Sequence, residues 1–512
     1  MIETFNKAHQ KFVQLVDALS DPTRRMRTLL AVVIAYAAIW TLYGLISKSS
    51  QDVNADMAEL VVWSRDLAWG YPKHPPLLGW VPAVWFSIFP LADWAYTLLA
   101  TLNCALGIWL ATVLAGKWLE GPKLAAVPFL LAVIPFYNFL GLKFDQNSAL
   151  IPLWALTTLA FVRSLDRGHI GWAVLAGIAG AAAMLTKYWS AFFLLALMIA
   201  VLFDRRRNAY FRSLAPYVTT VVALLAFLPH AIWLVQHDFQ PMQWVANRRG
   251  ASGVFDWFRA LSEYSFGTIG YAGVALLAYG VATRPSLPVL ADVLVPRDGE
   301  QRRAALIFWA PLLVPIAVAA LTRTNLLSLW NTPSLTLLPV VLLSSPLVKL
   351  TREWAARIAA LAVAVPVAVC LVSPVVAYVI LEAGVENDAA YARLVMADMQ
   401  EQWRKTTNKP LKLIAGPFGL ISTAAFYGAD RPMTFADFSP YLAPWATPAR
   451  IASEGMAIAC AADERGCLTA MNGLIANAPK STKTEVVLRR HLLWFDGPPA
   501  RFVIAVVPPQ PH

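Results

Sequence analysis

The stretch that decides the fold is TLLAVVIAYAAIWTLYGLI, residues 28–46, which contains no charged side chain. It matches the roughly 20 apolar residues that an α-helix needs to cross a bilayer. Arg24, Arg25 and Arg27 stand before it, and no small-residue cleavage site comes after it. We therefore expect a retained membrane anchor rather than a signal peptide. Residues 1–27 alternate apolar and charged side chains, which predicts an amphipathic helix on the cytoplasmic membrane surface.

The composition of the whole chain agrees with a membrane protein. Of 512 residues, 58% are hydrophobic and 14% are charged, and the mean hydropathy is +0.55. Soluble domains carry about 25% charged residues, so a cytosolic enzyme is excluded. The net charge is +11, but no basic run is long enough and interleaved with aromatic residues to predict nucleic-acid binding.

Ten further apolar runs have spanning length, which predicts about eleven transmembrane helices. They centre near Leu106, Val133, Leu156, Ala176, Leu197, Val222, Ala275, Val314, Pro339 and Val365. Taken alternately, the connections on one side carry about twice as many Lys and Arg residues as those on the other, and the positive-inside rule makes the richer side cytoplasmic. An odd number of spans then places the C-terminus outside. We predict a membrane domain over residues 28–381, with a long first external loop over residues 47–90.

From residue 382 to 512 the charged residues return, and alternating runs separated by turn clusters predict a small external α/β domain. The expected strands are residues 411–415, 486–488 and 502–507, with a turn at 496–499. Cys460 and Cys467 lie in this region without the CxxC spacing of a metal site. We expect them to form a disulfide, which requires an oxidising compartment, with two free thiols as the alternative.

The first external loop carries the strongest functional pattern. Asp56, Glu59 and Trp63 are spaced i, i+3 and i+7, which puts two carboxylates and an aromatic ring on one helix face. Such a face can hold a sugar, although a solvated loop helix has the same pattern. Pro75 and Pro76 then end one helix and suit the first turn of the next, so Lys73 and His74 are expected at a sharp turn.

Short external loops place cations at the edges of apolar spans, where charges need partners. These segments are Lys143-Phe144-Asp145-Gln146-Asn147, Thr186-Lys187-Tyr188 and Arg323-Thr324-Asn325. We expect Asp56, Glu59 and Asp145 to hold Lys143, Lys187 and Arg323 in the resting protein, and a phosphate to do so during the reaction. Snorkelling of each cation to the interface is the alternative.

The segment from His230 to residue 265 contains His237-Asp238, Trp244 and Arg248-Arg249. Its length and its glycines predict a mobile lid, with a re-entrant segment as the alternative. His237 has no second ligand at metal-binding spacing, so no metal site is predicted there. A divalent metal site near Asp56, formed across loops by Asp56, Glu59 and a His, is an alternative that the sequence allows.

These stretches together resemble the GT-C superfamily of polyprenyl-phosphate-sugar glycosyltransferases. Within it, the chain is similar to the bacterial branch related to protein O-mannosyltransferases, which includes aminoarabinose and galacturonosyl transferases of lipid A and lipopolysaccharide. The resemblance covers about the first 340 residues. The matching stretches are Asp56 to Trp63, Trp69 to Leu77, Lys143 to Asn147, Leu185 to Tyr188, Pro229 to Phe239, and Arg323 with Trp330 and Pro333.

The resemblance implies a multi-pass enzyme of the bacterial inner membrane that takes a sugar from undecaprenyl phosphate. It implies inverting transfer to a glycolipid of the lipid A or lipopolysaccharide-core type, with Asp56 as general base and Glu59 in support. Lys143, Lys187, Arg248, Arg249 and Arg323 are the expected phosphate-binding cations. The expected substrate-binding residues are Trp63, Lys73, His74, Asp145, Asn147, Tyr188, His230, His237 and Asp238.

Other functions fit parts of the same pattern. A protein hydroxyl is an alternative acceptor, and a flippase or transporter of lipid-linked sugars would use a similar cationic site without a general base. A non-catalytic assembly factor would need neither the base nor the buried cations. We expect a monomer, and no motif distinguishes one sugar from another.

Overall fold

The computed structural model describes residues 2–249, 253–383, 390–476, 478 and 480–510. The chain divides into two compact units. Unit 1 comprises residues 1–41 and 98–368, and unit 2 comprises residues 42–97 and 369–512. The second unit thus combines the predicted first external loop with the predicted C-terminal domain.

The chain is a multi-pass, mostly helical membrane protein. Within the described residues, six helices are long and apolar enough to cross a membrane, or seven if one bent pair forms a single span. The six are α2 (Arg25–Ser47), α5 (Asp93–Ala115), α11 (Ala215–Gln236), α13 (Val254–Thr283), α15 (Gly299–Thr322) and α17 (Arg352–Glu382). The bent pair joins α6 (Gly121–Ala132) to the 3-10 turns Pro135–Tyr137 and Leu140–Leu142, with a 78° bend.

Shorter helices complete the first 383 residues. They are α1 (Ile2–Ser20), α3 (Ala55–Trp63), α4 (Leu77–Ile88), α7 (Leu150–Arg167), α8 (Ile170–Thr186), α9 (Ser190–Leu202), α10 (Arg207–Arg212), α12 (Gln240–Arg249), α14 (Leu287–Leu294), the 3-10 helix Ser328–Leu337 and α16 (Leu338–Leu343). Four predicted spans fall on such elements, namely those near Leu156, Ala176, Leu197 and Pro339. The count of eleven spans therefore stays a prediction.

The prediction that the segment from His230 to residue 265 is a loop is wrong, because most of its described residues are helical. His230 lies inside α11, which continues to Gln236, and α12 and α13 occupy most of the segment beyond it. Pro229 is tolerated inside α11, so the proline did not mark a helix end.

Unit 1 contains a buried ionic cluster that ties several helices together. The guanidinium of Arg303 on α15 is 1% exposed and lies 2.9 Å from Asp166 of α7 and 3.4 Å from Asp204. Lys117 and Arg206 also bind Asp166, at 2.5 and 2.6 Å. Because an unpaired charge is costly at such depth, this network fixes the ends of these helices against one another.

Unit 2 contains a mixed sheet, and its described residues form five strands in the order β2-β1-β3-β5-β4. The strands are β1 (Leu413–Gly416), β2 (Met433–Ala436), β3 (Met456–Ala461), β4 (Thr482–Leu492) and β5 (Phe495–Val507). The helices are α18 (Ala392–Thr406), α19 (Phe418–Tyr427), α20 (Pro448–Glu454) and α21 (Arg465–Ala476). β1 pairs in parallel with β2 and β3, whereas β3, β5 and β4 pair antiparallel.

The three predicted strands coincide with β1, β4 and β5, so the small C-terminal sheet domain is confirmed. The predicted turn at residues 496–499 is wrong, because these residues lie inside β5 and the hairpin reverses at Leu493, whose φ is 55°. Strands β2 and β3 were not predicted. Both are buried along almost their whole length, so they lack the alternation that marks a half-exposed strand.

The first-loop residues of unit 2 pack on this sheet domain. Val62 of α3 belongs to the same buried cluster as the strand residues. Tyr96 stacks on Phe426 of α19, and its hydroxyl donates to the Met57 carbonyl at 2.6 Å. The guanidinium of Arg490 donates to the Ser50 carbonyl at 3.0 Å. These contacts give the loop a fixed conformation inside the unit.

Candidate functional site

The helix that carries the predicted carboxylates begins with a side-chain cap. Asn54 accepts a hydrogen bond from the Asp56 amide at 3.1 Å, and Asp56 lies in the first turn. Acidic groups stabilise this end of a helix because the dipole is positive there. Met57, Ala58 and residues 60–63 are buried, so α3 is packed rather than a solvated loop helix.

Glu59 forms an ion pair with Lys73. Their Oε1 and Nζ atoms are 2.8 Å apart, and the side chains are only 15% and 11% exposed. Glu59 was expected to hold one of the cations from the short loops, so that expectation is wrong for this residue. The pair forms because the chain reverses between α3 and α4, where the Tyr71 amide donates to the His74 carbonyl at 3.0 Å. The expected turn is present, and α4 begins directly after Pro76.

Burial raises the pKa of Glu59 above its ordinary value. The charge of Lys73 opposes this shift, and the charges of Asp56 and Asp437 add to it. Glu59 therefore binds a proton more readily than a carboxylate in water does. The electrostatic surroundings of Glu59 thus include one cation and two further carboxylates.

Trp63 is not a sugar-stacking surface in this structure. Its ring is 1% exposed and stacks on Tyr71 with the centroids 4.8 Å apart. The His74 ring contacts the same indole edge-on, with the centroids 6.0 Å apart. Because Trp63 packs in the core of the loop, the expectation of a face with two carboxylates and an accessible aromatic ring is wrong for the ring.

In unit 1, the segment from Lys143 to Asn147 forms a capped turn. Asp145 accepts hydrogen bonds from the amides of Asn147 and Ser148, at 2.8 and 2.9 Å, just before α7. The Ser148 hydroxyl donates to the Lys143 carbonyl at 2.9 Å. Asp145 was expected to hold a neighbouring cation, and these contacts instead give it a backbone-capping role.

Lys187 lies at the turn between α8 and α9. Its ammonium donates to Oδ1 of Asn147 at 2.6 Å and lies 4.9 Å from the ring centroid of Trp330. Trp330 packs edge-on against Trp189 at 4.8 Å. The structure thus brings together Asn147, Lys187 and Trp330 from three separate sequence segments.

An aromatic column runs beside this turn along α11. The Tyr188 hydroxyl lies 2.8 Å from Nε2 of His230, which is fully buried. The rings of His230, Trp233 and His237 follow one another in stacked pairs. Nδ1 of His237 lies 2.9 Å from the Trp233 carbonyl. Both histidines therefore have packing and hydrogen-bond roles, His230 inside α11 and His237 directly after it.

The remaining predicted residues are more exposed. Arg323 comes directly after α15 with a φ of 52° and is exposed, and Asp238 lies just beyond α11 with a φ of 51° and is exposed. Their side chains have no described contact with the Lys187 turn. The side chains of Arg248 and Arg249, at the end of α12, lie outside the described residues.

A metal near Asp56 finds little support in the donor set. Across the described ranges, no group of three or more His, Cys, Asp or Glu side chains could hold a metal ion. The carboxylate of Glu59 is already engaged by Lys73. The reaction steps proposed below therefore use only side chains of the protein.

The C-terminal sheet contributes contacts that the sequence did not reveal. The ring of Phe418, at the start of α19, lies 3.8 Å from the Lys73 ammonium. Cys460 and Cys467 are joined in a disulfide, with their Cα atoms 5.7 Å apart. The cysteine spacing predicted the disulfide. No sequence pattern predicted the contact between Lys73 and Phe418, because the two residues lie far apart in the chain.

Comparison with known proteins gives consistent matches. The family model described as dolichyl-phosphate-mannose-protein mannosyltransferase matches residues 73–233. The lipopolysaccharide core galacturonosyltransferase RgtA of Rhizobium johnstonii is 30% identical over 42% of this chain and 43% of its own length. RgtB of the same organism, also a lipopolysaccharide core galacturonosyltransferase, is 24% identical over 63% of this chain and 66% of its own length. The chain thus spans less than two thirds of the length of these curated relatives.

The fold matches that of a solved structure. The crystal structure of ArnT from Cupriavidus metallidurans bound to undecaprenyl phosphate superposes with a TM-score of 0.59 at 17% identity, covering 93% of this chain and 97% of that one. These matches confirm the predicted resemblance: part of the chain is similar to the mannosyltransferase family model and to the two galacturonosyltransferases, and its fold matches that of ArnT.

Proposed function

We propose that the chain, a relative of the GT-C polyprenyl-phosphate-sugar glycosyltransferases, transfers a sugar from a polyprenyl-phosphate donor to a glycolipid of the lipid A or lipopolysaccharide-core type. The observation that carries this proposal is the carboxylate pair of α3, in which Glu59 is bound by Lys73 and Asp56 stands one turn earlier. This arrangement provides acid–base groups next to a cation, which the displacement of a phosphate from a sugar requires.

The reaction we propose is a single displacement. The acceptor hydroxyl oxygen attacks the anomeric carbon, the bond from that carbon to the phosphate oxygen breaks, and polyprenyl phosphate leaves with the electron pair. Asp56 accepts the hydroxyl proton. Glu59 is the weaker candidate for the base because its carboxylate is already engaged by Lys73. Attack from the face opposite the phosphate inverts the anomeric configuration.

The leaving phosphate needs cations. Lys187 is supported as one of them, because an amide and an indole hold its ammonium in a fixed position at a turn. Lys143, Arg248, Arg249 and Arg323 are proposed as further phosphate contacts. The proposed substrate contacts are Lys73, His74, Asn147 and Tyr188. Packing, capping and positioning roles better explain Trp63, Asp145, His230 and His237. Asp238 is exposed just before α12 and is retained as a proposed substrate contact.

The membrane arrangement is proposed from composition. The six spans, the bent pair and the four elements near Leu156, Ala176, Leu197 and Pro339 together make eleven. The excess of basic residues on one side supports a cytoplasmic N-terminus, and the disulfide of Cys460 and Cys467 supports a periplasmic location for residues 382–512. The transfer then takes place at the periplasmic face of the inner membrane.

A direct assay tests the function. The purified protein is incubated with a lipopolysaccharide acceptor and one polyprenyl-phosphate sugar at a time (galacturonosyl, aminoarabinosyl or mannosyl), and the release of polyprenyl phosphate is measured. The names of the relatives make the galacturonosyl donor the first choice. Release is expected only when both donor and acceptor are present.

The variant Asp56→Asn keeps the size of the side chain and removes the base, so release should fall at least 100-fold. Asp66→Asn is the matched control, because Asp66 lies just beyond the same helix and is exposed. If no donor is consumed but lipid-linked sugars cross a liposome bilayer, the protein is a flippase and the proposal fails. If Asp56→Asn retains full activity, the assignment of the base fails.

A further inference from the structure

Lys73 contacts the C-terminal sheet as well as Glu59. Its ammonium lies 2.8 Å from the Glu59 carboxylate and 3.8 Å from the ring centroid of Phe418. The Phe418 amide in turn donates to Oδ1 of Asp437 at 2.8 Å. A continuous chain of contacts thus runs from α3 through Lys73 to residues at the ends of two strands of the sheet. All of these residues belong to unit 2.

The contact lies at a particular edge of the sheet. Phe418 begins α19 directly after β1, and Asp437 comes directly after β2, so both stand at the carboxyl ends of parallel strands. In the order β2-β1-β3, the strand that follows β1 in the chain, β2, lies on one side of β1, and the next strand, β3, lies on the other side. Open α/β sheets bind ligands at the carboxyl ends of strands where the order reverses in this way.

The backbone at this edge is held in an uncommon conformation. Asp437 has a φ of 51°, and its amide donates to the Gly416 carbonyl at 2.8 Å. Left-handed conformations of residues other than glycine are uncommon, and they persist where the surroundings fix them. Here the fixed geometry directs the Asp437 carboxylate to the start of α19.

We propose that Phe418 and Asp437 are positioning residues of the transfer reaction, and that the C-terminal sheet is therefore part of the catalytic apparatus. Phe418 holds the Lys73 ammonium beside Glu59 through its ring face, and Asp437 fixes Phe418 through its amide. The proposal rests on the transfer activity proposed above. It assigns to the C-terminal region a role that neither the family match at residues 73–233 nor the sequence motifs give it.

The chemical reason lies in how an aromatic face holds a cation. A ring attracts an ammonium without accepting its proton or cancelling its charge. Lys73 can then exchange the Glu59 carboxylate for an anionic substrate group while the ring keeps it in place. Without the ring, the long Lys73 side chain loses this restraint, and Glu59 loses part of the positive field that opposes the burial effect.

The first test is the pH profile of kcat/KM for Phe418→Leu, Phe418→Tyr and Asp437→Asn. Three charged groups act on Glu59, namely Lys73, Asp56 and Asp437. Phe418→Leu should lower kcat/KM about threefold to thirtyfold. It should also move the acidic limb of the profile upward by about half a pH unit, because Glu59 supports Asp56 in its ionised form and Lys73 then stabilises the Glu59 carboxylate less well.

Asp437→Asn should move the same limb in the opposite direction. The amide keeps an acceptor oxygen for the Phe418 N–H but removes a negative charge that raises the pKa of Glu59. Phe418→Tyr keeps a ring face and should retain nearly full activity. Phe495→Leu is the matched control for loss of a ring, because Phe495 is in the same sheet and contacts Tyr378 and Trp494 instead of Lys73.

Opposite shifts of the acidic limb support the proposal, because a general loss of structure lowers the whole profile without moving it. Unshifted profiles in folded Phe418→Leu and Asp437→Asn proteins overturn it, as does equal loss of activity in Phe495→Leu. If Phe418→Leu does not fold, Asp437→Gly decides, since it removes the acceptor of the Phe418 amide and tolerates the positive φ at this position; unchanged kcat/KM in the folded Asp437→Gly protein then overturns the proposal. A wild-type protein that consumes no donor refutes the proposed function instead, so the two failures are distinguishable.

Discussion

Replacing Asp52 by Asn should make the protein more stable relative to wild type as the pH rises to neutral, although Asp52 is bound by an arginine. Asp52 accepts a hydrogen bond from the Arg393 amide at 3.0 Å, and its carboxylate lies 3.4 Å from the Arg393 guanidinium. The side chain of Asp52 is only 8% exposed. Burial raises the pKa of Asp52 to about 6, because the loss of hydration outweighs the attraction of Arg393.

Proton linkage sets the sign of the effect. A carboxyl group whose folded-state pKa lies above its ordinary value of 3.8 favours the folded state below pH 3.8. This contribution is lost as the pH rises through 6. At 1.36 kcal/mol per pKa unit, the full loss is about 3 kcal/mol, of which about 2 kcal/mol falls between pH 4.5 and pH 7.5. Asparagine does not titrate, so the variant avoids this loss.

The measurement is thermal unfolding in detergent, monitored by tryptophan fluorescence at pH 4.5 and 7.5. The stability of Asp52→Asn relative to wild type should grow by about 2 kcal/mol between these values. For a cooperative unit of about 200 residues, this corresponds to an increase of roughly 4–8 °C in the relative unfolding temperature. Asp463→Asn, at an exposed turn, should show no such growth. A relative stability that is constant with pH, or that falls toward pH 7.5, would refute the reasoning.

Two further predictions concern Lys187 and the disulfide. Lys187→Met should lower kcat/KM for polyprenyl-phosphate release about tenfold to a hundredfold, because a hydrogen bond from a charged group to an anion contributes about 1.5–3 kcal/mol. Lys187→Arg should restore part of the activity. Unchanged release in Lys187→Met would exclude Lys187 from the phosphate site. Cys460→Ser should destabilise the sheet domain by about 2–3 kcal/mol, because the disulfide to Cys467 closes a short loop in the unfolded chain. The unfolding temperature of this variant should no longer respond to reductant. A response equal to that of wild type would contradict the prediction.

The sequence predicts those parts of the fold that depend on local pattern. The apolar run at residues 28–46 lies within α2, and the Pro75-Pro76 pair marks the start of α4. Helix ends inside apolar sequence were harder to predict. His230 comes directly after Pro229, yet α11 continues past both residues. A polar residue next to a proline is therefore not sufficient evidence for a helix end.

The candidate site divides in the same way. The Glu59–Lys73 pair had a local signal, because the turn between them brings two oppositely charged residues of one loop back together. Phe418 had no signal, since its contact with Lys73 depends on the packing of a distant sheet. Asp145 was expected to hold one of the cations at the edges of the spans, whereas its carboxylate accepts hydrogen bonds from the backbone amides just before α7.

The partners of Lys73 explain why a buried cation can serve a reaction. A carboxylate alone would hold the ammonium in a closed pair, and an incoming anion would have to displace it at the full cost of separating two buried charges. The Phe418 ring lowers that cost, because it keeps the ammonium in place while Glu59 yields its position. In the proposed reaction, the ion pair and the ring therefore act together when Lys73 exchanges the Glu59 carboxylate for a substrate anion.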